Sequence, residues 1–403
     1  MRVGHGVRVL EVVPGEPMGG YADRSHGVGG VLDPLEVHVV TFAAGGHRFA
    51  LVVADLICVN ADIAGSVRAA LRELSIDSCW VAATHTHASP EAGCVPGGAP
   101  TPPDVGRRLL AAAVAAAGEA VAAEQDASLI STRTDVDGLA GRRTAGDAEP
   151  VAVPVDALVV TTAAGVAGVV TVTPVHPTVL PADNSDVSAD LNGAIRRALA
   201  APGRWVVAAT GAAGDISTRH TRRGHGAAEL DRLAALVAGG LRLEPAGEPG
   251  PDAVHPPLSQ RLSLAPKSAD EASAATRATA ADAADARTRQ VFEQGRRIAR
   301  DLAAHRRGEP YDVDVQAVRL GGVTLVAIPG ELFLELGEAI RAGAGPDVVV
   351  VGYANGYLGY LPSLATPPTY ETLVSPVRPG SGEQVADAAA ELARSAAHAE
   401  EST

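Results

Sequence analysis

The sequence predicts an α/β fold of mixed β-sheets covered by helices, gathered in one large domain. Three observations carry that reading. Short apolar runs bounded by Gly, Asp or His recur along the chain, as buried strands do. Segments with apolar residues at helical spacing lie between them. The composition is that of a globular protein, with 403 residues, 46% of them apolar and 20% charged.

In chain order, EVHVVTFAA, HRFALVVADLICV and DSCWVAATH read as strands. ADIAGSVRAALREL and TPPDVGRRLLAAAVAAAGEAVAA read as helices, with Asp104 after a Pro pair as the start of the second. VPVDALVVTTAAGVAGVVTVTPVH is a strand pair that turns near Gly165 and ends in a histidine. The Pro-, Gly- and Glu-rich stretch from Leu241 to Pro257 reads as a linker. An Ala- and Arg-rich helical segment with little apolar face follows, so residues 241–312 form an excursion that covers the pocket as a lid or outer helix. VDVQAVRLGGVTLVAIPGELF returns to a strand hairpin, and a final helix starts near Gly382. The sequence shows no internal repeat.

Bulk properties exclude several functions. A formal charge of −14 argues against a general binder of nucleic acid or anionic membranes, which needs a basic face. A local basic patch does occur at Arg219, Arg222 and Arg223. No apolar run is long enough to cross a bilayer, and the start lacks the pattern of a secretory signal, so the expected location is cytoplasmic. Cys58, Cys79 and Cys94 are odd in number and without Cys-x-x-Cys spacing, which indicates neither a disulfide framework nor a thiolate cluster. Oligomeric state is not readable from the sequence.

The strongest chemical signal is THTH, from Thr84 to His87, directly after the apolar run WVAA. In an extended chain His85 and His87 share one face at a strand end, which suits a metal site, because imidazole is the commonest zinc ligand. His-x-His also begins metal-dependent barrel hydrolases, but those need a bridging lysine or later ligands, and the one lysine is Lys267 in a polar segment.

MGGYADRSHGVGG, VVADL, ATHTHASPEAG, the Arg142-Arg143 pair, PVHPT with SADLNG, GAAGDIS, IPGEL and NGYLGYL follow in a set order between Met18 and Tyr370. Together they resemble the neutral, non-lysosomal ceramidase family. The resemblance implies zinc held by His85, His176, Glu331 and Tyr360, with His87 beside the metal handling protons. It also implies that Arg142 binds a substrate oxygen, although Gly141 replaces the Asn that precedes that Arg in the family. Ser217 matches a serine associated with the family's activity and lies on a Gly-rich turn suited to oxyanion stabilisation. Asp55, Asp190 and Asp215 are expected to support the site.

These expectations define a ceramidase-like catalytic domain over residues 1–403, a short bacterial-type member without the C-terminal β-sandwich of longer relatives. The expected enzyme is a zinc-dependent amidase that hydrolyses an N-acyl amide of a small-molecule substrate by metal-activated water. Intracellular amide or lactam formation at the same site and a catalytically silent relative are the alternatives.

Overall fold

A computed structural model describes residues 1–21, 24–97, 100–143, 150–243, 250–268, 271, 286–306 and 308–398. The predicted apolar runs are strands, and together with strands the sequence reading did not name, among them Arg2–Val9, Ser128–Arg142 and Trp205–Thr210, they assemble into three larger mixed sheets built alike. In the first, Arg2–Val9, Glu36–Ala44 and His47–Ala54 lie antiparallel, helix Ala61–Leu71 crosses over, and Ser78–Ala83 returns parallel to His47–Ala54. In the second, Ser128–Arg142, Pro150–Thr162 and Gly165–Thr173 lie antiparallel, helix Asp190–Leu199 crosses over, and Trp205–Thr210 returns parallel to Gly165–Thr173. In the third, the same order is taken by Leu258–Leu264, Tyr311–Leu320 and Val323–Ala327, helix Leu334–Ala344, and Val348–Val351. A longer helix follows each unit: Pro103–Ala122, Ala227–Gly240 and Ser381–His398. One topology is thus used three times in a chain whose sequence shows no repeat.

Strand alternation sorts the side chains into layers. Val40, Phe42, Leu51, Val53 and Trp80 of the first sheet meet Leu158, Val170 and Val207 of the second and Leu325 and Val349 of the third in one shared core. Their neighbours Val37, Val39 and Val52 face outward under helices Ala61–Leu71 and Pro103–Ala122. Helix Ser381–His398 covers the third sheet with Val385, Ala389 and Ala393. Burying each large apolar side chain contributes about 1.5–3 kcal/mol.

Hydrogen bonds at the strand ends close the three sheets into a ring. The Ala83 amide donates to Tyr353 O (3.1 Å), the Gly352 amide to Thr210 O (2.9 Å), and the Thr210 hydroxyl to Thr84 O (2.6 Å). The carboxyl ends of the parallel strands therefore converge on one point, the place where ligands bind in open α/β sheets.

Local details differ from expectation in four places. Helix Pro103–Ala122 begins at Pro103 and puts Asp104 in its first turn, since proline suits the first helical position. Within the stretch read as linker and helical excursion, Leu258–Leu264 is a strand of the third sheet, and Glu331 pairs with Tyr360 in a two-residue parallel bridge ahead of the helix that starts at Leu334. Of the expected lid, helix Ala286–Arg306 is seen and packs against helix Tyr370–Val374, whereas 272–285 lies outside the described residues. Cys58 and Cys94 form a disulfide, a pairing commoner in oxidising compartments than in the cytoplasm, while Cys79 is free and buried. Among the described residues no helix is long and apolar enough to cross a membrane.

Candidate metal centre

His85 follows strand Ser78–Ala83 and adopts a left-handed backbone with φ 64°, a sparsely populated conformation for a non-glycine residue. The chain therefore leaves the strand before the histidines, and the alternation expected of THTH does not apply. The two rings still meet edge to face at 5.0 Å, because the turn brings them together. His176 follows Gly165–Thr173, and Glu331 follows Val323–Ala327, one ligand candidate from each unit.

The two imidazoles are held alike. His85 Nδ1 lies 2.7 Å from Ile57 O and His176 Nδ1 lies 2.6 Å from Ala213 O. A carbonyl accepts only, so in the neutral rings each Nδ1 carries the proton and each Nε2 presents a lone pair. Those two Nε2 atoms lie 3.1 Å apart, and Glu331 Oε2 lies 3.3 Å from the first and 3.1 Å from the second. Glu331 is fully enclosed. Burial opposes its charge, but the His85 and His176 rings in their protonated form outweigh burial and hold its pKa well below the usual carboxylate range. Burial, with help from Arg143, lowers His176 to about 4.

These three atoms hold no proton to share among themselves; Arg143 Nη1 lies 3.2 Å from His176 Nε2, but Glu331 Oε2 has no hydrogen-bond partner. A cation resolves that arrangement. The spacings match the edge of a tetrahedron with metal–ligand bonds of about 2.0–2.1 Å, which is about 3.3 Å. The ligand nitrogens of His85, His87 and His176 also lie within 4.8 Å of one another, so three histidines form a rival donor set. Glu331 fits better as the third donor. Its oxygen is close to both inner nitrogens, whereas His87 Nε2 is 3.4 Å from His85 Nε2 and its ring lies 5.8 Å from that of His176.

No family model and no curated protein sequence matches the chain. Among solved structures, a ceramidase complexed with C2 superposes with a TM-score of 0.74 at 16% identity, over 99% of this chain and 75% of that one. The neutral ceramidase from Pseudomonas aeruginosa gives 0.73 at 17% identity, over 99% and 74%. The chain has the neutral ceramidase fold.

On that fold the remaining predicted residues fall into two groups. Tyr360 is at the centre: its hydroxyl accepts from Arg143 Nη1 (3.1 Å), its strand pairs with Glu331, and its ring stacks on His176 at 6.1 Å. Ser217 sits beside His176 in a backbone bridge, and its hydroxyl accepts from the Arg219 amide (3.4 Å). Arg142 is elsewhere. It closes strand Ser128–Arg142, with its side chain 37% exposed, and pairs with Asp215. The guanidinium that reaches the cluster belongs to Arg143, whose Nη1 lies 3.2 Å from His176 Nε2 and whose Nε pairs with Glu371 at 3.1 Å. Burial works against the Arg143 charge, but Tyr360 and Glu371 more than offset it and raise its pKa.

Sequence reasoning also missed two tyrosines. Tyr357 donates to Glu331 Oε1 (2.6 Å), which leaves Oε2 for the cluster, and Tyr353 stacks under His85 at 4.0 Å. Their signal was present in YANGYLGY, given an aromatic content of 3%. The supporting aspartates act on backbone. Asp190 accepts from the Val179, Leu180 and Leu191 amides and fixes the turn after His176, with burial raising it to about 6. Asp215 accepts from the Leu334 amide, and Asp55 grips the Arg196 guanidinium at 2.6 and 3.0 Å. Gly20, at φ 95°, lies where a Cβ would come within 2.7 Å of the His87 ring.

Proposed function

We propose that the protein is a zinc-dependent amidase that hydrolyses an N-acyl amide bond, with zinc held by His85, His176, Glu331 and Tyr360. The observation that carries this reading is the unpaired Glu331 Oε2 beside two imidazole nitrogens whose lone pairs face it. Two neutral histidines and a carboxylate are a usual catalytic zinc set. Zinc bound there supplies Lewis acidity and lowers the pKa of water. The solved structures that share the fold are named for cleaving ceramide, an amide, which supports a C–N bond as the target.

The chain's own residues supply positioning and proton transfer. Burial, reinforced by His85 and His176, holds His87 well below the ordinary histidine range, so it is neutral at pH 7, and its Nδ1 has no partner. A neutral imidazole there accepts a proton from the attacking water and returns one to the leaving nitrogen. The water oxygen bonds to the acyl carbon, the C–N bond breaks, and the products are a carboxylic acid and an amine. Arg143 stabilises charge developing on the carbonyl oxygen, with Ser217 at the His176 bridge as a second donor. Arg142 acts indirectly, through Asp215 and the turn that holds His176.

The test combines elemental mass spectrometry with hydrolysis of N-acyl amides. Near-stoichiometric zinc is expected in the wild type and in His87→Ala, and loss of zinc in Glu331→Ala. A wild type that takes up no metal sinks the proposal; zinc lost in His87→Ala but kept in Glu331→Ala assigns the site to three histidines instead.

A further inference from the structure

We infer that the Cys58–Cys94 disulfide positions two donors of the proposed metal set, His85 and Glu331, and so makes the centre's hold on its cation depend on the redox state of its surroundings. This rests on the zinc reading above and adds a regulation to that site. The bond joins two loops: Cys58 lies between strand His47–Ala54 and helix Ala61–Leu71, and Cys94 lies between strand Ser78–Ala83 and helix Pro103–Ala122. Each sulfur is close to a group that aims a donor. Cys58 directly follows Ile57, whose carbonyl accepts from His85 Nδ1 (2.7 Å). Cys94 shortly precedes Gly97, whose amide donates to Tyr357 O (3.2 Å), and the Tyr357 hydroxyl donates to Glu331 Oε1 (2.6 Å). Between them Pro96 abuts Gly359, where a Cβ would come within 3.2 Å of its ring, and the Gly359 carbonyl accepts from the Glu331 amide (2.9 Å).

Ile57, Cys58 and Ala92 form a small buried cluster of their own, with Cys94 and Tyr357 packed against it. Side chains so few bury little apolar area, and hydrophobic stabilisation scales with that area, so packing alone holds the two loops weakly. Asn60 Nδ2 adds hydrogen bonds to Ala92 O (3.0 Å) and Gly93 O (3.1 Å). Losing the covalent bond therefore loosens the aim of both donors while Asn60 keeps the loops in contact. The centre is weakened and not dismantled.

The bond is open to exchange with a dithiol. Cys58 is buried, whereas Cys94 is partly exposed, so the thiolate of the reductant attacks the Cys94 sulfur. The S–S bond breaks and Cys58 leaves as a thiolate that takes up a proton. The second thiol of the reductant then displaces Cys94, giving two cysteine thiols and the reductant's own disulfide. Burial pushes the thiol of the remaining cysteine, Cys79, up to about 12, so it supplies no thiolate to divert the reverse reaction. Disulfides persist in oxidising compartments and are reduced in the cytoplasm. At one zinc concentration the centre is thus fuller in the first than in the second.

The experiment takes the full chain around one redox cycle. Its zinc dissociation constant is measured by competition with a chromophoric chelator in three states: oxidised, reduced with dithiothreitol that is then removed by gel filtration under argon, and reoxidised with oxidised glutathione. Reduction is expected to weaken zinc binding about 10-fold, the low end for a group that aims a ligand, and reoxidation to restore it. The double variant Cys58→Ser, Cys94→Ser has no thiols there to bind zinc themselves; it should match the reduced protein and ignore the reductant. Val385→Ala, which opens a cavity beneath helix Ser381–His398, separates aiming from stability: it should lower the melting temperature and keep the wild-type affinity. Equal affinities in the oxidised and reduced wild type, or a loss in Val385→Ala as large as in the double variant, overturn the role of the disulfide and leave the zinc reading intact. No zinc uptake by the oxidised chain overturns both together.

Discussion

The first and second units place a histidine at the same point by opposite means. In the first, His85 follows the returning parallel strand, and the carbonyl that orients it, Ile57 O, follows the hairpin strand His47–Ala54. In the second the roles are exchanged: His176 follows the hairpin strand Gly165–Thr173, and its carbonyl, Ala213 O, follows the returning strand. The third unit offers Glu331 after its hairpin strand and the tyrosines after its returning strand. Each unit therefore brings two strand ends to the centre, one for a donor and one for the group that aims it. The scaffold fixes the positions, and the loops decide which end does which.

The largest test of that comparison removes a donor. His176→Ala should lose its zinc and reduce amide hydrolysis to background, read by elemental mass spectrometry and initial rates. Full zinc occupancy in this variant would show that the second unit does not donate. Next in size is the choice between adjacent arginines. Arg143→Ala is expected to lower kcat by about 10²–10³-fold, the cost of losing one oxyanion donor, and Arg142→Ala by less than about tenfold, as expected of a group that acts through the Asp215 turn. The reverse order would show that the guanidinium at the chemistry is Arg142.

A smaller effect probes the third unit. Tyr357→Phe removes the hydrogen bond that aims Glu331 and should weaken zinc binding by about 10–100-fold, measured by competition with a chelator. An unchanged affinity would mean that Glu331 needs no aiming group, unlike the two histidines. The smallest concerns the seam between the second and third units, where Asp156 lies between Arg133 and Arg341. Burial, opposed by those arginines, raises its pKa to about 6. A carboxyl with a raised folded pKa binds its proton more tightly in the folded state, so its contribution to stability declines as pH rises from about 4 to about 6 and is constant above. The melting temperature of Asp156→Asn minus that of the wild type should thus become more positive over that window, by a few degrees. A flat difference would mean that the two arginines cancel the burial.

What could be read in the sequence follows from the range of each signal. Strands such as Glu36–Ala44 and the turn at Gly165 are local, since alternation and turn chemistry act over a few residues. The cluster of His85, His176 and Glu331 depends on contacts across hundreds of residues, and only the ordered motifs gave access to it. Arg142 and Arg143 show where that access ends: consecutive residues at a strand end point to opposite sides, so a one-residue ambiguity sends the guanidinium away from the centre. The Cys58–Cys94 bond spans 36 residues with a third cysteine between its partners, and no local pattern marks it. The threefold topology was invisible because strand order constrains hydrophobic pattern and leaves residue identity free.

The ring that joins Ala83 to Tyr353, Gly352 to Thr210 and Thr210 to Thr84 ties the donor set to the maturation of the whole chain. Two units docked without the third present at most two of the three inner donors, and bringing the third home closes loops of more than a hundred residues, the slow part of folding. On the proposed zinc set, a metal ion would find all its donors only in the completed ring and so would stabilise the final docked state over earlier ones, more strongly as its free concentration rises. Under that reading zinc supply would act as a checkpoint on assembly: starved of metal, the chain is expected to linger in partly docked forms that proteases remove before any substrate is met.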